Sequence, residues 1–173
     1  GADVSRAARG GPDLPFMPLA HDSLYGVNTP GEDYRAEFSA DRLRVYVSGH
    51  RGAPSVEIYE GWRADAGSDF VEFLEVVKSG EDDHDPHLSA DELRIYYSPM
   101  VGGQQDLWRG SRGQVGEPFV YTGPIAELND VVASDTNPTL TADERVIVFA
   151  SYRQGMGDLF VARRGTTMEM FGD

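Results

Sequence analysis

The densest chemistry in this 173-residue chain is the run Asp82-Asp83-His84-Asp85-Pro86-His87. Two imidazoles and three carboxylates within six positions are the residue types that bind a transition metal or move protons near neutral pH. Strand alternation sends neighbouring side chains to opposite faces, so His84 and His87 need not meet. The aligned positions further along are Thr136 and Thr139. Spacing therefore fixes no third ligand, and a solvated loop is the plainer reading of the run. A second set is a column of aspartates, Asp33, Asp83 and Asp135, flanked by Glu32, by Glu81 and Asp82, and by Ser134. Oxygen ligands of this kind, gathered at one point, suit calcium or another hard cation. Taken singly, each aspartate would cap the turn before its own strand. The chain contains no Gly-x-Ser-x-Gly elbow, P-loop or His-Glu-x-x-His pair, which removes the commonest hydrolase and nucleotide-binding signatures.

The elements that would position these residues are read from an internal repeat. Ser39-Ala40-Asp41-Arg42-Leu43-Arg44-Val45-Tyr46-Val47-Ser48 aligns without gaps with Ser89-Ala90-Asp91-Glu92-Leu93-Arg94-Ile95-Tyr96-Tyr97-Ser98 and with Thr141-Ala142-Asp143-Glu144-Arg145-Val146-Ile147-Val148-Phe149-Ala150, at intervals of 50 and 52 residues. A second block pairs an acid and an aliphatic residue with an arginine six places after the acid: Asp3-Val4 with Arg9, Glu57-Ile58 with Arg63, Asp106-Leu107 with Arg112, Asp158-Leu159 with Arg164. A phenylalanine falls seven residues beyond each arginine, at Phe16, Phe70, Phe119 and Phe171. Separate patterns that keep one register require duplication of a structural unit.

Each unit reads as four short strands. The first ends at Ser-Ala-Asp or Thr-Ala-Asp, where an Asp that bonds its own backbone makes a tight turn. The second is rich in β-branched and aromatic residues, as in Leu93 to Tyr97. A glycine-containing loop, Gly102-Gly103 or Gly155 to Gly157, leads to a third strand near Asp106 to Arg112, and the stretch from Phe119 to Leu128 supplies the fourth. Such a sheet cannot bury both faces alone, so neighbouring sheets must stack. The fold expected is all-β: about three and a half β-propeller blades of four antiparallel strands, with a partial blade at 1–28, blades at 29–79 and 80–130, and an incomplete blade at 131–173. Tyr46, Tyr96, Trp108, Phe149 and Phe160 are expected in the core, at least one of Trp62 and Trp108 at the surface because they fall in different columns, and the arginine column paired with acids of its own repeat or facing water.

Pro86-His87-Leu88-Ser89-Ala90-Asp91 and Pro138-Thr139-Leu140-Thr141-Ala142-Asp143 resemble the WD-type repeats of the TolB-like propeller family, whose units centre on Pro-x-x-Ser-x-Asp followed by an apolar strand. The first copy departs from it, with Ala36 in place of the proline. The resemblance implies a propeller of the kind found in periplasmic, secreted or outer-membrane-associated proteins that bind other proteins, and it carries over no catalytic residue. Closed propellers have roughly 4 to 8 blades. The chain is thus expected to belong to a longer ring or to be completed by a second copy into six blades, the first reading being favoured because the third strand is duplicated at the two ends.

Inner strands line a propeller's channel, which places Asp33, Asp83, His84, Asp85, His87 and Asp135 at its mouth as candidate ligand-binding residues. Asp33, Asp83 and Asp135 are the candidate metal ligands, calcium the candidate cofactor, and no catalytic residue is assigned. A net charge of −14 repels nucleic acid and anionic lipid. No apolar run approaches the ~20 residues of a membrane-spanning helix. Zero cysteines exclude disulfides and thiolate zinc sites. The expected function is a non-enzymatic binding module outside the cytoplasm, engaging a protein, peptide or glycan; the alternative is a propeller-type lyase or glycoside hydrolase that uses channel carboxylates and a divalent cation.

Overall fold

The computed structural model of the chain describes residues 7–8, 11–15, 17–18, 24 and 26–172. Asp3, Val4, Arg9 and Phe16 of the repeat lie outside them. The described residues form strands and no helix: β1 (Ala7–Ala8), β2 (Met17–Pro18), β3 (Asp33–Phe38), β4 (Arg44–Gly49), β5 (Glu57–Trp62), β6 (Val71–Glu75), β7 (Asp82–Leu88), β8 (Arg94–Val101), β9 (Gln104–Gln105), β10 (Trp108–Ser111), β11 (Val120–Pro124), β12 (Asp135–Leu140), β13 (Val146–Ser151) and β14 (Asp158–Arg163). The hairpin β1-β2 precedes a first blade β3-β4-β5-β6, a second blade β7-β8-β10-β11 with β9 attached to β8, and a third sheet β12-β13-β14. All strand pairs are antiparallel, as consecutive strands joined by short loops must be. The run Asp82 to His87 is part of β7 and not a loop.

The repeated Ser-Ala-Asp makes the same turn three times. The Asp41 carboxylate accepts from the Ser39 hydroxyl at 2.6 Å and from the Leu43 amide at 2.9 Å, while the Ser39 hydroxyl accepts from the Arg44 amide at 2.9 Å. Ser89/Asp91 and Thr141/Asp143 repeat these bonds. The residue after each Asp takes a left-handed φ, 61° at Arg42, 57° at Glu92 and 56° at Glu144. That backbone strain persists because the turn's side-chain bonds fix the loop on both sides.

The cores lie between blades. Tyr46, Ile58, Val76 and Val77 of the first blade pack with Leu88, Ile95, Tyr97 and Phe119 of the second. Tyr96, Leu107, Ile125 and Leu128 pack in turn with Leu140, Ile147, Phe149 and Phe171. Each fully buried aliphatic side chain here contributes roughly 1.5–3 kcal/mol, available only when the neighbouring blade is present.

A polar latch crosses each of these cores. Arg44 of the first blade reaches Glu92 in the second blade's turn at 2.7 and 2.8 Å, and the Tyr46 hydroxyl donates to the same carboxylate at 2.7 Å. Arg112 of the second blade returns to the Tyr46 oxygen and to Glu60, both at 2.6 Å. The next junction repeats the design: Arg94 and Tyr96 bind Glu144, and Arg164 donates to the Tyr96 hydroxyl at 3.1 Å. Burial would raise the Glu92 and Glu144 carboxyls, yet the arginine and tyrosine hydrogen bonds hold both below the usual range. Burial, helped by Glu144, pushes the Tyr96 phenol up to about 12.

Two expectations change at this point. The arginine column neither faces water nor pairs chiefly with the acids of its block. Arg63, Arg112 and Arg164 are buried, donate from Nε to the carbonyls of Arg42, Glu92 and Glu144, and lie 4.3–4.4 Å over Phe70, Phe119 and Phe171. Neither tryptophan is exposed: Trp108 stacks on Tyr121 at 4.4 Å, and Trp62 is half-buried in a cleft of about 380 Å³ with Leu43, Leu74 and Val115. Tyr46, Tyr96 and Phe149 are core residues, with Trp108 and Phe160 packed against the clusters. On the third sheet Val146 and Val148 replace the arginine and tyrosine of the latch, and Leu159 is 79% exposed where Ile58 and Leu107 are fully buried.

Candidate functional site

The inner strands β3, β7 and β12 lie side by side, and each carries a register shift after its start, between Asp33 and Ala36, His84 and His87, and Thr136 and Thr139. Asp85 and Asn137 take left-handed backbone there, with φ of 56° each, a conformation that Asp and Asn tolerate better than most residues. The bulges bring together side chains from three blades. Arg35 donates to Asn137 Oδ1 and Thr139 Oγ1, both at 3.1 Å, directly from first blade to third. Asp85 Oδ2 accepts from the Ser98 hydroxyl at 2.7 Å and from the Asn137 amide at 3.3 Å.

Toward the turn end of the same strands, His87 bridges its neighbours. Its Nε2 accepts from the Leu140 amide at 3.0 Å, and its Nδ1 lies 3.0 Å from Glu37. An Nε2 that accepts leaves the hydrogen on Nδ1, so the bond network assigns the neutral tautomer that donates to Glu37. This pair opens on a depression of about 240 Å³ walled by Ser39, Ser89 and Thr141. At the opposite end, the Tyr34 ring stands 5.4 Å from His84 and 6.5 Å from His50, with its hydroxyl donating to Glu32 at 2.6 Å. That bond raises the Tyr34 phenol, and burial lowers the His84 imidazole.

Of the sequence candidates, Asp85 and His87 reach across the inner strands to Asn137 and to Glu37 and Leu140, while His84 stands at the opposite end of β7 beside Tyr34. Asp33, Asp83 and Asp135 do not join them; all three are fully buried within their own blades. Asp33 accepts from the Thr29 amide and hydroxyl at 2.6 and 2.9 Å, Asp83 from the Ser79 hydroxyl at 2.7 Å, and Asp135 from the Asp130 amide at 2.6 Å. Each ties the segment ahead of its strand, the capping role open to an isolated Asp. Among the described residues no group of three or more histidine and carboxylate side chains is arranged to hold a metal ion.

Tyr34, Arg35, Glu37, Asn137 and Thr139 were missed by motif reasoning. Their signal was positional: Arg35 and Asn137 occupy the place of Asp85, and Thr139 the place of His87, in the aligned repeats.

No family model and no curated protein matches the chain. Solved structures do. An endo-arabinase from Bacteroides thetaiotaomicron superposes with a TM-score of 0.69 at 13% identity, over 96% of this chain and 67% of that one. A putative 6-phosphogluconolactonase from Bacteroides fragilis gives 0.54 at 14% identity, over 91% and 40%. TolB from Acinetobacter baumannii gives 0.52 at 10% identity, over 78% and 30%. At such identities the likeness shows the fold, a β-propeller, and the chain spans about two thirds of the first structure and less than half of the others. No helix among the described residues is long and apolar enough to cross a membrane.

Proposed function

We propose that this propeller segment is a binding module that works outside the cytoplasm and engages a protein, peptide or glycan at the mouth where β3, β7 and β12 begin. The observation that carries this reading is the cluster of Tyr34 with His84 and His50 beside Glu32. Tyr34 shows 41% of its surface while its hydroxyl is held, so a rigid amphipathic ring is offered at little entropic cost. The carboxylates that acid–base chemistry would need are engaged inside the protein, Glu37 with His87 and Asp85 with Ser98 and Asn137. The extracytoplasmic setting rests on the resemblance to TolB-like repeats.

A second reading, a glycoside hydrolase or lyase, is favoured by one observation: Glu37, Asp85 and His87 are all proton-transfer groups on the inner strands. Screening of the purified chain on glycan and peptide arrays, followed by calorimetric titration of the hits, separates the two. Tyr34→Ala is expected to weaken binding roughly tenfold or more, with Glu37→Gln close to wild type. Binding undiminished by Tyr34→Ala overturns the proposal. Polysaccharide cleavage, with or without calcium, that disappears in Glu37→Gln would establish the enzyme.

A further inference from the structure

The junction of the first two blades carries a cleft of about 380 Å³ at the turn end of the strands, away from the mouth. One wall is a single face of the first blade. Arg44 pairs in register with Trp62 and Glu60 with Leu74, and strand alternation puts Glu60 on the same face as Trp62. Leu43 borders them, and Val115, from the loop between β10 and β11, forms the facing wall. Arg112 fixes that loop, donating to the Glu117 carbonyl at 3.1 Å and to Glu60 of the first blade at 2.6 Å. Leu74 is 53% exposed and Val115 38%, so much of the apolar lining faces solvent.

The repeat shows that stacking does not call for this lining. The next junction keeps the latch, with Arg94 and Arg164 in the places of Arg44 and Arg112. There Ser111, Gly123 and Thr167 occupy the positions of Trp62, Leu74 and Val115. Two blades therefore pack and latch without an indole or either aliphatic group at these three places, and the first junction alone gathers all three.

The polar groups of the cleft define what it takes. Glu60 Oε2 is held by Arg112, and Arg44 gives Nε and Nη2 to Glu92 at 2.7 and 2.8 Å. Arg44 Nη1 makes no hydrogen bond among the described residues, and Glu60 Oε1 accepts none, lying 3.9 Å from Arg44 Nε. One donor and one acceptor are thus left between apolar walls, the complement of a single peptide unit. A sugar would sink more hydroxyls than these two groups satisfy, at the cost of unpaired polar atoms. An anion meets the carboxylates of Glu60 and Glu92, and a cation the guanidinium groups of Arg44 and Arg112, which leaves an uncharged occupant.

We propose that this cleft is a peptide-anchor site. It takes one uncharged aromatic or branched aliphatic side chain against Trp62, Leu74 and Val115, while the adjoining peptide unit donates to Glu60 Oε1 and accepts from Arg44 Nη1. Its volume lies within the roughly 300–1,000 Å³ of small-ligand sites. An indole among aliphatic groups is the kind of surface on which interface energy concentrates.

The test is titration of the whole chain with N-acetyl-L-phenylalaninamide, followed by tryptophan emission and by calorimetry. Saturable binding is expected with a dissociation constant roughly in the millimolar range, as for other weak ligands of this size. N-acetyl-L-leucinamide should behave alike, and N-acetylglycinamide, which lacks the anchor, should not bind. Trp62→Ser and Val115→Thr install the residues of the next junction, which stacks with them. The dissociation constant should rise about tenfold or more in Trp62→Ser, read by calorimetry, and roughly fivefold in Val115→Thr. Should Trp62→Ser fail to fold, Val115→Thr, in an exposed loop, decides. Tyr34→Ala, at the opposite end of the strands, should leave binding unchanged. Absence of a saturable response, equal binding of N-acetylglycinamide, or binding undiminished in Val115→Thr overturns the proposal. So does a loss in Tyr34→Ala, which would move the ligand to the mouth, or tighter binding of methyl glucoside, which would make the cleft a sugar site.

Discussion

Replacing Arg112 by methionine tests whether the latch between the first two blades holds them together. Methionine keeps an unbranched apolar stem over Phe119 and removes the guanidinium. That group donates to Glu60 and to the Tyr46 oxygen at 2.6 Å, to the Glu92 carbonyl at 2.8 Å and to the Glu117 carbonyl at 3.1 Å. The side chain of Arg112 is 0% exposed and that of Glu60 only 4%, so solvent screening does little for either. A second guanidinium, that of Arg44, lies 3.9 Å from Glu60. Leaving a buried carboxylate without its close partner costs about 3–5 kcal/mol, against about 0–1 kcal/mol for an exposed pair such as Asp91–Arg94. Urea unfolding followed by tryptophan fluorescence gives the difference directly, since Trp62 and Trp108 report on the two blades. The expected loss is about 3–5 kcal/mol, and Arg112→Met combined with Glu60→Leu should recover a good part of it because no charge is then stranded. A loss below about 1 kcal/mol for the single variant would refute the latch as the link between blades.

The buried carboxylate of the second blade makes a prediction in the opposite sense. Asp83 rises from 3.8 to about 7 on folding, chiefly through burial, so the folded chain holds its proton longer and stability falls as pH climbs from about 4 to 7. Asp83→Asn should remove that slope and exceed wild type at pH 8 by up to roughly 4 kcal/mol; parallel pH profiles for the two proteins would dismiss the reasoning. Gly61→Ala should cost about 1–3 kcal/mol, because a Cβ there would lie 2.4 Å from the Phe73 ring, which Arg51 clamps at 3.6 Å on its face. Denaturation of Gly61→Ala with Phe73→Leu should show part of that loss restored, and no effect of Gly61→Ala alone would place the ring elsewhere.

The blades were legible in the sequence because their determinants are local. The Ser-Ala-Asp turn is written in three adjacent residues whose side chains bond their own backbone, and strand alternation follows from it, so Ser39, Ser89 and Thr141 marked three hairpins before any packing was known. The arginine and phenylalanine columns were visible too, yet their meaning was not. Arg112 reaches Tyr46 across 66 positions, and nothing in its own block names that partner. The same distance hid the inner-strand site, where Arg35 meets Asn137 and Thr139 from 102 and 104 residues away. Sequence by itself determined the repeating unit and the residues available to it, since turns and alternation act over a few bonds. Tertiary structure alone decided which of those residues meet: blade stacking buries Asp33, Asp83 and Asp135 apart from one another, while the bulged strands β3, β7 and β12 bring Arg35 and Asp85 to Asn137.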